Sequence, residues 1–340
     1  MNMNFKAFSA FLCGIGIFLF SVVQMSESMK KVCRGKAASA LKRLTSNRIS
    51  GVLTGTAVTA VVQSSAAVTV TATALVESGV LSASQGVGII MGSNIGTTVT
   101  GVLAALKFSA AAPFLVFFGA LFSLFSSGER LKSFGFFLCA LSLLFVGVDT
   151  MKDAAAALNE SGALSSFFER SGSRLFGIFI GFFSTAILQS SSATVGILQS
   201  LVAVGAVGRE YSVFVICGQN IGATVPTLLS ALRAHKGAKT TAVFHLFFNL
   251  FGTLVFLIAS FFFPISSLFS FFSDGAAFVG AVHVFFNVFS TVLLLPFAAL
   301  ITRLSEKVVS LFSKDGRLCS DLIFSGSGFS KLFKKNSTFF

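Results

Sequence analysis

The sequence predicts an all-α polytopic membrane protein: an inverted-topology repeat with two re-entrant helical hairpins, broken helices and about seven membrane crossings. Three observations carry that prediction. Of the 340 residues, 54% are hydrophobic and 11% charged, with 44 Phe and a mean hydropathy of +0.89, too few polar side chains to clothe a water-soluble surface. Two pairs of apolar segments are too short to cross a bilayer singly. The first pair recurs as the second, 126 residues downstream.

Taken in order, Met1 to Gln24 has the outline of a signal peptide, but its apolar run from 5 to 23 is long and no A-x-A cleavage pattern follows. It is read as the first crossing. The others are expected at 86–106, 112–127, 133–150, 211–232, 240–263 and 277–301. The basic linker 24–50 has the apolar and cationic positions of an interfacial helix in contact with anionic lipid.

Gly51 to Val62 would span about 18 Å as a helix and Ala66 to Val76 about 17 Å, against a hydrocarbon core of about 30 Å. Neither crosses alone, so a hairpin over about 48–80 turns at Gln63-Ser64-Ser65. Irregular backbone at that depth requires protein or a polar cavity around it. "AVTVTATA" alternates like a strand, yet most other apolar runs exceed fifteen residues without alternation, which favours helices over a barrel. A second hairpin is expected over about 174–207, turning at Gln189-Ser190-Ser191-Ser192.

Residues 55–106 align on 181–232 without a gap, and 21 of the 52 pairs are identical. Gln63 precedes Asn94 by 31 residues, as Gln189 precedes Asn220. Three crossings separate the hairpins, so one enters from each face, and the turns can meet at the midplane. The resulting division is repeat 1 at 1–150, an external linker at 151–173, repeat 2 at 174–301 and a basic tail at 302–340.

At each turn one arm ends and another begins, so free N–H groups and Ser hydroxyls face one pocket, an arrangement that stabilises an anion. Carbonyl, hydroxyl and amide oxygens suit a small hard cation. "GSNIGTT" at 92–98 and "GQNIGAT" at 218–224 read as breaks in the following helices. No Lys or Arg lies in the turns, so a buried dianion needs co-bound cations, and the two bindings become coupled.

Orientation follows from charge. With the linker 24–50 cytoplasmic, 19 of the 25 Lys and Arg fall inside, predicting a multi-pass protein of the cell membrane with an external N-terminus and a cytoplasmic C-terminus. The net charge of +13 is explained by these loops, so nucleic acid is not an expected partner; the lipid bilayer is. Five widely spaced Cys form neither a disulfide framework nor a metal cluster, and no catalytic triad or phosphate-binding loop is present. No enzyme and no cofactor are expected. His245 with Asn249 and His283 with Asn287, each at i and i+4, read as interhelical hydrogen-bonding pairs. Glu77 and Asp149 read as ordinary carboxylates near helix ends.

From "GIGIFLF" at 14–20, through "MSESMKKV", "VVQSS", "GSNIGTTVT", "QSSSATVGILQSLVAVG" and "GQNIGAT", to "AVFHLFFNLFG" at 242–252, the chain resembles the type II sodium/phosphate cotransporter family. The resemblance implies sodium-coupled uptake of inorganic phosphate. It places phosphate on Gln63, Ser64, Ser65, Gln189, Ser190, Ser191 and Ser192, and sodium, the coupling ion, on Ser93, Asn94, Thr97, Thr98, Thr194, Asn220 and Thr224. Ala66, Gln219, Ala223 and Pro226 depart from the family pattern. Many bacterial relatives append a PhoU-like helical domain, for which 302–340 is too short. The alternatives are an uncoupled or proton-coupled anion transporter or channel, and a transport-inactive regulatory membrane protein.

Overall fold

The computed structural model describes residues 3–33, 35–106, 109–160, 162–170 and 173–314; the tail beyond 314, Arg34 and Lys107 of the charge argument lie outside the described residues. All regular structure among the described residues is helical. Two helices of 31 residues, α1 (Met3–Cys33) and α7 (Glu129–Asn159), lie side by side. Gly14 faces Met151 and Gly147 faces Phe18, so the two run antiparallel. The linker is not one interfacial helix: α1 continues through its first part, and α2 (Lys36–Leu44) follows, with Leu41 buried against the first hairpin.

That hairpin is α3 (Arg48–Val62) and α4 (Ser65–Glu77), arms of 15 and 13 residues; the second, α9 (Arg174–Leu188) and α10 (Ser191–Ala203), has arms of the same lengths. Every arm boundary recurs at an offset of 126. At about 22 and 20 Å, none of the arms matches a 30 Å core. α5 (Ala83–Ala105), α6 (Ala112–Phe125) and α7 follow the first hairpin. α8 (Ala163–Arg170) precedes the second, and α11 (Arg209–Gly222), α12 (Val225–Ala231), α13 (Lys236–Ala259), α14 (Gly275–Leu294) and α15 (Ala298–Lys314) come after it.

Six spans among the described residues are long and apolar enough to cross: α1, α5, α7, α11 with α12, α13 and α14. The seventh expected crossing, 112–127, forms α6, a shorter helix of 14 residues. The expected 277–301 segment also divides, α14 ending at Leu294 and α15 beginning at Ala298, because Pro296 between them has no N–H to extend the helix.

One expectation is corrected outright. The segment 92–98 is not a break: α5 runs through it from Ala83 to Ala105. Its counterpart does interrupt, between α11 and α12, where Pro226 occupies the position that Thr100 holds in α5. The glycines serve packing instead. A Cβ on Gly92 would sit 1.9 Å from the Val52 carbonyl oxygen, and one on Gly218 1.9 Å from that of Ile178, the same contact 126 residues on. Gly55 meets Ile89 at 2.3 Å and Gly181 meets Val215 at 2.0 Å in the same paired way. Backbone thus touches backbone where each hairpin's first arm crosses the following helix.

Beside its apolar core clusters, the interior holds polar but uncharged side chains. The buried polar side chains among the described residues are Ser, Thr, Asn, Gln and His, while Leu53, Phe117, Phe179, Ile187 and Val292 point outward. That distribution suits a bilayer as solvent. Overpacking of a closed contact costs about 1–3 kcal/mol or more. Gly92→Ala and Gly218→Ala are therefore expected to lower the melting temperature in detergent, while Gly16→Ala, with nothing within 4 Å of the new methyl, leaves it unchanged.

Candidate functional site

Gln63 and Gln189 close the first arms of their hairpins in the left-handed region, at φ 59° and 52°, as the non-Gly residues of positive φ among those described. Each cap N–H donates back into its own helix, to the Thr59 and Thr185 carbonyls. The chain then turns, and Ser64 and Ser190 cap α4 and α10 by accepting from the Ala67 and Ala193 amides, each at 3.3 Å. One amide per turn is thus spent on a cap. The other N–H groups of the first turn of α4 and α10 have no helical partner.

Both turns line a single cavity of about 180 Å³. All seven residues assigned to the anion, Gln63, Ser64, Ser65, Gln189, Ser190, Ser191 and Ser192, are on its wall, with Ala66, Ala223 and Pro226. Gln63 is oriented by Thr100, whose hydroxyl donates to its Oε1 at 2.8 Å; Pro226 at the matching position offers Gln189 no such donor. Sequence reasoning missed the remaining wall, formed by Val22, Val23, Ser26, Glu27 and Lys30 of α1. No repeat argument could place α1 beside the turns.

The seven residues assigned to sodium do not line this cavity. They are buried, with the hydroxyls and amides bonded mostly within their own helices: Thr97 to the Ser93 carbonyl, Thr98 to Ile95, Asn220 to Ile216 and Thr224 to Ile221. Ser93 joins the first hairpin, its hydroxyl 2.9 Å from that of Thr59. Thr194 bonds Thr185 at 2.8 Å across the second. Gln219, which replaces Ser93 in the second repeat, carries a buried Oε1 with no hydrogen-bond partner, an acceptor of the kind a small cation completes.

His245 and Asn249 do join helices. The His245 ring lies 3.1 Å from Asn94 Oδ1 on α5 and 3.3 Å from the Thr227 hydroxyl on α12, and Asn94 donates to Asn249 at 3.3 Å. Thr227 in turn bonds Thr69 of α4 at 2.8 Å. The second pair differs. Nδ1 of His283 faces Gly101, the position matching Thr227, and has no partner, nor has Asn287 Oδ1. Glu77 accepts from the His235 amide and so holds the α12–α13 corner.

A polytopic helical protein whose two discontinuous helix pairs close on one polar cavity belongs to the transporter class. The sequence profile of the Na+/Pi-cotransporter family matches residues 17–153 and 158–272, and the chain belongs to that family. It is 28% identical to the uncharacterized protein YqeW of Bacillus subtilis over 250 residues, covering 73% of this chain and 81% of that one. YjbB of Salmonella typhimurium, provisionally named an inorganic phosphate export protein, is 24% identical over 300 residues, covering 88% of this chain and 55% of YjbB. Sodium-dependent phosphate transport protein 2A of Rattus norvegicus is 38% identical over 93 residues, 26% of this chain and 14% of that one. The chain thus spans about half the length of the YjbB relative and a small part of the mammalian one. No solved structure matches it.

The two His-Asn pairs make a controlled comparison. His245→Phe strips the Asn94 and Thr227 groups of a buried partner, a loss of about 1–3 kcal/mol. His283→Phe leaves an already partnerless Nδ1 unreplaced. Thermal unfolding should therefore show the larger loss of stability for His245→Phe.

Proposed function

We propose that the protein is a secondary active transporter that takes up inorganic phosphate with sodium by alternating access. One observation carries this reading: two discontinuous helices, 126 residues apart, present their N-terminal turns and Ser hydroxyls to the same cavity. Phosphate would be held by Gln63, Ser64, Ser65, Gln189, Ser190, Ser191 and Ser192. Sodium would take oxygens among Ser93, Asn94, Thr97, Thr98, Thr194, Asn220 and Thr224, with the free Gln219 acceptor added. The turns bring no fixed cation, so sodium supplies the charge that lets a dianion leave water. Coupling is then electrostatic.

The antiparallel packing of α1 and α7, the helices that precede the two hairpins, supports an inverted relation between the repeats. Rocking one repeat against the other would expose the cavity to each face in turn. The positive-inside bias supports a cytoplasmic C-terminus in the cell membrane. Family membership and the names of YjbB and the mammalian transporter support phosphate as the solute. The name of YjbB also favours a second reading, net export through the same site.

Reconstituted protein should accumulate labelled phosphate above equilibrium under an inward sodium gradient, and potassium in place of sodium should abolish accumulation. Equal uptake in both salts would refute the coupling, and net efflux under the same gradient would favour export. Gln189→Ala and Ser191→Ala should each lower kcat/KM by roughly ten- to 150-fold, as expected for the loss of one charge-assisted hydrogen bond of about 1.5–3 kcal/mol, with expression unchanged.

A further inference from the structure

Near its C-terminal end α1 carries Glu27-Ser28-Met29-Lys30, and α7 carries Asp149-Thr150-Met151-Lys152 near its own. Acid, Met and Lys recur at the same spacing, on the helix that precedes each hairpin. The recurrence lies outside the 52-residue alignment. Spacing of i and i+3 puts each acid and its lysine on one helix face.

Each tetrad borders a different cavity. Glu27 and Lys30 line the one that holds both Gln-Ser turns, bonded to each other at 2.9 Å and each about half exposed. Asp149 and Lys152 line a second cavity, of about 320 Å³, with Asp274 and the C-terminal residues of α5, Ala104 and Ala105. Because α1 and α7 are antiparallel, the tetrads lie in opposite halves of the pair. Gly14 opposite Met151 and Phe18 opposite Gly147 set Asp149 level with residue 16, eleven residues and about 17 Å along the axis from Glu27.

The half-exposed Glu27–Lys30 ion pair contributes little to stability, so stability does not account for the recurrence of the acid-lysine spacing beside a second cavity. What such a lysine does well is raise the local concentration of an anion. The acid next to it keeps the lysine folded against the wall and lowers its affinity, so that the anion is passed on.

Resting on the phosphate reading above, we infer that the two tetrads are matched charged latches at the two mouths of the pathway. Lys30 and Lys152 each draw the anion in from one face, and Glu27 and Asp149 compete with it for the lysine. The inference assigns a role to four residues outside the sets assigned to phosphate and sodium, of which Glu27 and Lys30 lie on the wall of the central cavity.

The test has two arms. In a chain whose native Cys are replaced by Ser, Lys30→Cys and Lys152→Cys should react with a membrane-impermeant maleimide from opposite faces of sealed vesicles; reaction from the same face overturns the arrangement. This arm needs no transport. In oriented vesicles, Lys30→Gln should raise the phosphate KM roughly three- to tenfold at one face and leave the other within about twofold, the factor for one charge a few ångströms from an anion in a wet mouth. Lys152→Gln should do the reverse. Glu27→Gln should lower KM at the Lys30 face, the opposite sign to loss of the lysine, which a merely structural role would not produce. Unchanged KM at both faces, or equal shifts at both, overturns the latches. If the wild-type chain moves no phosphate at all, the substrate reading and the anion-drawing role fall together, while the labelling result still decides the two mouths.

Discussion

A helix that ends inside hydrocarbon leaves backbone groups that lipid cannot satisfy, and this constraint organises the whole molecule. α3 and α9 are too short to reach the far surface, so their last carbonyls and the first amides of α4 and α10 need partners at depth. Left-handed Gln caps and Ser caps supply some of them. The rest face a polar cavity, which exists because the two turns are brought together and share it. The requirement that stabilises the fold is therefore also what leaves donors available to an anion.

Bringing two hairpins that close takes glycine. Three glycines in each repeat, Gly55, Gly92 and Gly96 and their counterparts Gly181, Gly218 and Gly222, let a first arm press its backbone on the following helix, and the pairs coincide after a shift of 126. Side chains break this likeness at a few places. Thr100 orients Gln63 while Pro226 interrupts the matching helix; Thr227 binds His245 while Gly101 leaves His283 Nδ1 alone; Ser93 is bonded while Gln219 Oε1 is not. If two identical halves exchanged conformations, the two end states would have equal energy. These substitutions are where such a molecule can bias one state over the other.

Much of this was legible in the sequence. Hydropathy and segment length gave the helices, and the repeat gave the hairpin turns, whose Gln-Ser residues do share a cavity. The two glycines around Asn94-Ile95 misled because glycine in an apolar helix has two physical uses, breaking the helix and admitting another one. Only Pro226 distinguishes them, since it removes a donor and Thr100 does not. The α1 wall of the cavity was out of reach for a different reason: Ser26, Glu27 and Lys30 belong to a segment whose partner is set by tertiary packing on α7. His245 was placed correctly as a link between helices, yet its partners Asn94 and Thr227 could be known only from the packing.

The absence of charge from the two turns has its own logic. A lysine fixed between the two turns would have to be desolvated in every state in which no anion is present, at a cost of several kcal/mol. It would also hold the anion too firmly to release it. Neutral hydroxyls and helix N-termini carry no such penalty when empty and gain strength only as an ion cluster forms around them. Placed at a half-exposed helix end instead, Lys30 keeps its hydration and its acidic neighbour. It can then act on approach without deepening the central well. Uncharged turns with a hydrated lysine on the wall of their shared cavity would thus combine fast encounter with reversible binding, the pair of properties a carrier must reconcile.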